Sequence, residues 1–498
     1  MHLNRRHFLS AAGTVAAAGC TATNGGGSAI PANPLDLDAI GQAQQIRNGT
    51  LSPLELLDQT IARIERLNPI INAVVATDFE RARTLAATQT EALAGGRQPD
   101  GVLYGVPYLV KDLTPVAGVP MDFGSRLFAG TVAEEDGPAI AACRAAGMNI
   151  IGKTATPEFG LIGSTETMLH GPCRNPWSLD HSPGGSSGGT GAAIAAGMTP
   201  IASGSDGGGS IRIPASNCGV FGLKPSMGRN LGSDPSLPGG IAVKMALSRT
   251  VRDSALMLTL YENSGADAVG RVDAPLTRPL KIGLIITDHL GNQPHEDVAA
   301  AVTRTARLLE QLGHSVEAHN FPFDGHALMD HFMSIWTQGP KNAVAQINAD
   351  GGRPEDLLEP WTLGLAEMGS ERGPDTVASS VRWLLETTAD PRIFADFDLL
   401  LSPTLNTPPA RTGEQSPTAP FEEMFPKVLE YVSYTPLANV AGHAAMSVPL
   451  GLSTDGLPIG SHFMAPRGGE RLLLELALQL EEAAPWRNRW APHSAANV

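Results

Sequence analysis

The stretch that most restricts the fold runs from Pro183 to Ala215, PGGSSGGTGAAIAAGMTPIASGSDGGGSIRIPA. Two loops of glycine and serine enclose Ala192-Ala193-Ile194-Ala195-Ala196, a segment with the composition of a tightly packed helix. A flexible linker has no use for such a segment, nor for Ile211-Arg212-Ile213-Pro214, whose alternation predicts a strand or the beginning of one. The loops therefore belong to a packed unit that lets backbone approach a ligand. Glycine has no Cβ, so Gly207-Gly208-Gly209 ahead of Ser210 can turn several N–H groups toward one point, where a negative oxygen would sit.

The N-terminus reads as an address. Arg5-Arg6, Phe8-Leu9 and the small apolar run from Ala11 to Gly19 form an export signal of twin-arginine type, too short to span a bilayer. Ala17-Ala18-Gly19-Cys20 resembles a lipobox, so residues 1–20 read as a signal in which Cys20 is either the lipid-bearing first residue of the mature chain, its one expected link to a membrane, or a bystander in an ordinary cleaved signal. The expected location is the periplasm or the cell envelope. Residues 21–34 have the composition of a tether, and residues 35–492 are left as the folded domain.

Loss of residues 1–19 removes Arg5 and Arg6 and no acid, moving the formal charge from −15 to −17. A nucleic-acid partner needs clustered Lys and Arg, so this balance argues against one. The three cysteines beyond Cys20 (Cys143, Cys173 and Cys218) show no CxxC spacing and read as buried thiols, and the 13 histidines show no metal-ligand spacing. No metal or cofactor is implied.

Alternating elements predict an α/β fold. Ser52-Pro53 opens a helix with its apolar face at Leu54, Leu57, Ile61 and Ile64, and Asn68-Pro69 is expected to end it; a second helix runs from about Asp78 to Ala94. Tyr104 to Asp112 is a short apolar strand with Lys111 at its end. That lysine either pairs with Asp112 at a sheet edge or is buried, where its charge is costly. Ala139 to Lys153 reads as helix, glycine stop and buried strand. Leu280–Ile286 and Phe397–Leu401 read as further strands, with a helix over Val298–Leu312. Trp336, Trp361, Trp383, Phe421, Phe425, Tyr431 and Tyr434 are the aromatics from which an acyl pocket could be built.

GGSSGG and the run Gly204 to Pro214 resemble the signature of the amidase signature family. The upstream blocks GVPYLVKD and GKTATPEFG, the downstream CGVFGLKPS, and Asn439 to Gly460 match further blocks in the same order. The segment GPCRNPW and the chain length resemble the 6-aminohexanoate cyclic dimer hydrolase branch and related bacterial amidases. Ala155, Ser205 and Gly207 depart from residues common in the family. The resemblance implies a single large domain, a mixed sheet with helices on both faces, and hydrolysis of a small-molecule carboxamide to acid and amine or ammonia. It also implies a triad: Ser210 as nucleophile, Ser186 as bridging serine with a cis peptide to Gly185, and Lys111 as base.

The chemistry supports those roles. A serine hydroxyl needs a proton acceptor, and this stretch offers no histidine in a motif that could serve. A lysine serves if neutral, which means lowering its pKa from about 10.4 by roughly three units, about 4 kcal/mol, within reach of burial. The N–H groups of Gly207, Gly208, Gly209 and Ser210 would hold the oxyanion. Asp206 and Arg212 are expected to pair and shape the turn, with Ser187 as a supporting hydrogen-bond partner; His170, His181, Cys173 and Cys218 are expected to be structural.

Two other readings are open to the same residues. Gly184-Gly185-Ser186-Ser187-Gly188 fits GxSxG, the elbow of an α/β-hydrolase esterase, but that motif needs a strand just before it and residues 175–183 are turn formers. An amidotransferase-type subunit supplying ammonia to a partner is the other, and an export signal speaks against its cytoplasmic setting.

Overall fold

The computed structural model describes residues 33–232, 240–263, 265 and 267–497. The expected signal (1–20) with Cys20, and the tether as far as residue 32, lie outside the described residues. Pro34 already belongs to a short 3-10 turn capped by the Asn33 side chain.

In chain order the strands are β1 (Val74–Thr77), β2 (Pro107–Lys111), β3 (Asn149–Thr154), β4 (Glu166–Thr167), β5 (Gly171–Pro172), β6 (Ile201–Asp206), β7 (Phe221–Lys224), β8 (Val243–Ser248), β9 (Lys281–Leu284), β10 (Ser315–Ala318), β11 (Leu399–Pro403), β12 (Ala444–Leu452) and β13 (Pro458–Ala465). Strands β4 and β5 make a small separate ribbon. The other 11 form one sheet in the order β1-β3-β2-β6-β8-β7-β12-β13-β11-β9-β10. Strand β2 lies parallel to both β3 and β6, whereas β6 to β13 are joined by antiparallel pairs, so the sheet is mixed as expected. Helices flank it, and β2 is buried along its whole length, which is the reason the sequence reads there as a short apolar run.

Local chemistry explains the element ends. Helix α1 spans Ala39–Arg47; α2 spans Pro53–Ile71 and opens on a capping box in which Ser52 and Glu55 exchange side-chain and backbone bonds. Pro69 does not end it. It sits in the last turn, and the helix stops at Asn72, which takes a left-handed φ of 57° while Asn68 Oδ1 accepts the N–H groups of Ala73 and Val74. Helix α3 (Phe79–Ala94) starts after Asp78, and α4 is Pro138–Ala145.

The segment Ile211–Pro214, expected as strand, is instead the start of a helix. After α5 (Gly188–Ala195), helix α6 covers Arg212–Cys218 and stops at Gly219 in left-handed geometry. Asp206 Oδ2 accepts the Ile211 N–H, and Pro214 falls in the first turn, where a missing N–H costs no hydrogen bond. Local alternation is outweighed by one carboxylate.

Candidate active site

Parallel strands β2 and β6 end on the same edge, the place where open α/β sheets bind ligands. The last residue of β2 is Lys111, and the last of β6 is Asp206, followed by Gly207-Gly208-Gly209-Ser210. Between them the chain crosses through α5, whose preceding turn contains a cis peptide at Gly185-Ser186. A Cβ on Gly185 would lie 2.2 Å from the Ser164 carbonyl oxygen, so only glycine lets this turn pack against residues 162–164.

Lys111 is fully buried. Its Nζ is 2.8 Å from Ser186 Oγ and 3.0 Å from Ser205 Oγ. Burial lowers its pKa to about 7, against the opposing pull of the Asp206 carboxylate. The edge pairing with Asp112 does not form: the Asp112 carboxylate turns to Lys153, whose Nζ also donates to the Thr114 carbonyl. The amine at Ser186 therefore has two hydroxyl partners and no carboxylate.

Ser210 is held against the same turn, its carbonyl accepting the Ser187 N–H, and is 7% exposed, opening onto a cavity. Ser187 Oγ bonds to both the N–H and the carbonyl of Ser205, locking α5 to the end of β6. Asp206 and Arg212 form a fully buried pair with bonds of 2.9 Å from both Nε and Nη2 of the guanidinium. Burial would raise the Asp206 pKa, but Arg212, helped by Lys224 and the Asn439 amide, holds it well below the usual carboxylate range. Arg212 is in turn bound by the Thr435 carbonyl, Asn439 and His462, a network that tethers the turn to the far half of the sheet.

One expected role changes. The Gly209 N–H donates to Asp206 Oδ1 at 2.8 Å, so it braces the turn and is not available to an oxyanion. Among the described residues, the N–H groups of Gly207, Gly208 and Ser210 meet no acceptor, and these three are the donors the turn presents.

The cavity beside Ser210 is apolar. Gly208, Ile213, Phe332, Trp336, Trp361 and Phe425 are among its walls, and the indoles of Trp336 and Trp361 both donate to the Leu161 carbonyl, which fixes their rings. Of the aromatics singled out from sequence, Trp336, Trp361 and Phe425 line it. Phe421 packs behind Trp361, Trp383 stacks on His331, Tyr434 bonds to the Ile286 carbonyl, and Tyr431 bonds to Asn217. Sequence reading missed Met329, Phe332 and Met333; their signal was the spacing with Trp336 on one face of α9 (Gly325–Trp336), once α7 (Val251–Tyr261) and α8 (Glu296–Gln311) are passed. Ser205 as a second partner of Lys111, and Asn439, were also missed.

His170 and His181 stay outside this constellation, next to Asp122 and Ser178, and Cys143, Cys173 and Cys218 are free and buried. No strand leads into Ser186: residues 173–185 are bridges and turns, so the nucleophile elbow of an α/β-hydrolase is not built.

The Amidase family model matches residues 55–474. A putative amidase of Mycobacterium leprae is 38% identical over 467 residues, covering 91% of this chain and 96% of the relative. The 6-aminohexanoate-cyclic-dimer hydrolase of a Pseudomonas strain is 35% identical over 482 residues, covering 90% and 95%. Among solved structures, 6-aminohexanoate cyclic dimer hydrolase complexed with substrate superposes with a TM-score of 0.82 at 32% identity, over 92% of this chain and 99% of the other. A bacterial aryl acylamidase superposes at 0.80 with 27% identity, over 91% and 98%. A chain matched by that family model over most of its length belongs to the amidase family, and the protein is a hydrolase of carboxamide C–N bonds.

Proposed function

We propose that the protein cleaves small-molecule carboxamides through an acyl-enzyme, with Ser210 as nucleophile, Ser186 as relay and Lys111 as base. The observation that carries this reading is a fully buried amine 2.8 Å from Ser186 Oγ with a pKa near neutrality. Ser210 Oγ attacks the carbonyl carbon as its proton passes to Ser186, whose own proton goes to neutral Lys111. The N–H groups of Gly207, Gly208 and Ser210 receive the oxyanion; a single donor of this kind is worth about 3 to 4 kcal/mol of barrier. The C–N bond then breaks as Ser186 protonates the leaving nitrogen and recovers its proton from Lys111. Water attacks the Ser210 ester by the same proton path, giving acid and regenerated serine. All protons are carried by three side chains, so the cycle calls for no cofactor.

The apolar cavity favours an apolar acyl group, and the named activities of the relatives, on a cyclic dimer of 6-aminohexanoate and on aryl acylamides, support a small-molecule amide over a protein or nucleic acid. The test is a panel of linear, cyclic, aryl and peptide amides with release of ammonia or amine as readout. Turnover of esters alone would overturn the reading.

We also infer from Arg5-Arg6 and the lipobox-like run ending at Cys20 that the chain is exported and anchored in the cell envelope. Fractionation of cells making the full chain and a Cys20→Ala variant tests this. The native chain is expected with membranes and the variant in the soluble periplasm; recovery of both in the cytoplasm would refute export.

A further inference from the structure

The cavity holding Ser210 shares a wall with a second one. Met329 and Met333 on α9, and Phe425 and Leu429 on the helix Phe421–Tyr431, border both. Each helix contributes a pair four residues apart, so each pair lies on one helical face and the two faces together make a partition. The inner space measures about 50 Å³ and the outer about 440 Å³. The inner one holds a few atoms, well short of an ordinary small-molecule pocket.

The two spaces differ in chemistry. Beside the partition the inner walls are apolar apart from Ser210, whereas the outer cavity also borders Asn292, Asp330, Arg372 and Glu430. Asp330 and Arg372 are paired at 2.6 Å across its rim. The inner walls include Ser210 and Gly208 but neither Ser186 nor Lys111, which hand the proton to the leaving nitrogen in the cycle above. With the leaving nitrogen at Ser186, the acyl side of the amide would face the partition. Methionine is unbranched, with three rotatable bonds, and so is suited to a wall that yields.

Building on the amide hydrolysis proposed above, we propose that Met329 and Met333, closed by Phe425 and Leu429, set substrate choice: the enzyme takes amides of flexible acyl chains that are apolar next to the carbonyl and long enough to pass the partition and place a polar far end in the outer cavity.

The experiment compares kcat/KM for linear primary amides from two to ten carbons, and for the same chains bearing a terminal hydroxyl, in the native enzyme and in Met333→Phe, Met333→Leu and Met333→Ala. In the native enzyme the value is expected to rise with chain length, and the terminal hydroxyl is expected to be accepted on the longer chains. Met333→Phe should lower the long-to-short ratio by about tenfold or more, the scale of a hydrophobic pocket misfit, Met333→Ala should raise it, and Met333→Leu should keep it. A ratio that is the same in all four proteins would overturn the partition. Rejection of the hydroxylated long chains in favour of the alkyl ones would overturn the role of the outer cavity. Native enzyme that turns over no amide of any length would strike the hydrolysis reading itself, a result distinct from an unchanged length profile.

Discussion

Lys153 Nζ lies 3.0 Å from Asp112 Oδ1, and this pair decides the chemistry of the residue preceding Asp112 in the chain. Lys111 is the last residue of β2 and Lys153 the last but one of the adjacent parallel strand β3, and both are completely buried. The available carboxylate goes to Lys153 and leaves Lys111 with hydroxyls alone. The opposing charge that acts on it is Asp206, whose own charge is already committed to Arg212. One lysine is thereby a structural cation, and the other an amine that loses its proton easily.

The pH profile follows from that division. A lysine acting as base must be neutral, and the neutral fraction grows as pH rises through about 7. The expected kcat/KM increases about tenfold per pH unit below neutrality and levels off near pH 8. Lys224 is equally buried, is also lowered to about 7 by burial and by Arg212, and donates to the Pro225 carbonyl. A Lys224→Met enzyme should therefore keep the inflection, which the same pH–rate measurement checks; an inflection that vanishes in that variant would move the base to Lys224.

Substitution and labelling separate the roles of the triad residues. Ser210→Ala is expected to cost about 10⁴-fold or more in kcat, the scale of removing a nucleophile, and Lys111→Ala about 10²- to 10⁴-fold. A serine-directed phosphonylating reagent should add its mass at Ser210 and not at Ser186, read from the fragment ions of the segment that carries both. Mass spectrometry of the labelled protein reads the outcome directly, and label on Ser186 would favour the elbow assignment.

Which parts of this site could be seen in the sequence follows from what holds them. The two glycine-serine loops were legible as a packed unit because close backbone approach demands glycine, whereas the roles of Lys111, Ser186 and Ser210 came from the resemblance of the blocks around them to a family signature. The helical start of α6 was not legible, because Ile211-Arg212-Ile213-Pro214 alternates like a strand and only the Asp206 carboxylate, five residues back, overrides it. Gly209 was assigned to the oxyanion for the same reason, since its bond to Asp206 depends on the turn closing. The partnership of Asp112 with Lys153 joins two strands and leaves no local trace. The cavity walls come from α9 and from helices more than 100 residues beyond the signature, where Met and aromatic residues look the same in a core as in a pocket.

Asp206→Asn tests how much of the site's shape rests on the buried pair. The carboxylate accepts from Gly209, Ile211, Arg212 and Asn439 at once, and Arg212 is completely buried. Neutralising one partner leaves a guanidinium without its counter-charge, a loss of about 3 to 5 kcal/mol. Denaturant titration should show a lowered midpoint with an unchanged slope. A midpoint equal to that of the native protein would mean that the pair does not hold the turn.

Gly209→Ala separates shape from stability. Gly209 has a φ of 138°, which L side chains rarely adopt, and an added Cβ would lie 2.3 Å from Thr435 Oγ1 and 2.8 Å from Ile213 Cδ1. Thr435 Oγ1 donates to the Gly208 carbonyl, so a methyl group here displaces the threonine that fixes the Gly208–Gly209 peptide, which lies between the oxyanion donors Gly208 and Ser210. The expected result is a fall in kcat of about 10²-fold or more, the scale of one lost donor, with a smaller change in KM. Replacing Thr435 by Ala in the same chain removes the nearest clash but not the backbone strain, so the double variant should regain part of the lost kcat and no more. Steady-state kinetics of the two variants against the native enzyme, with Tm measured alongside, checks it; a Gly209→Ala enzyme with native kcat would show that the turn tolerates a side chain and that its geometry is not what aligns Ser210.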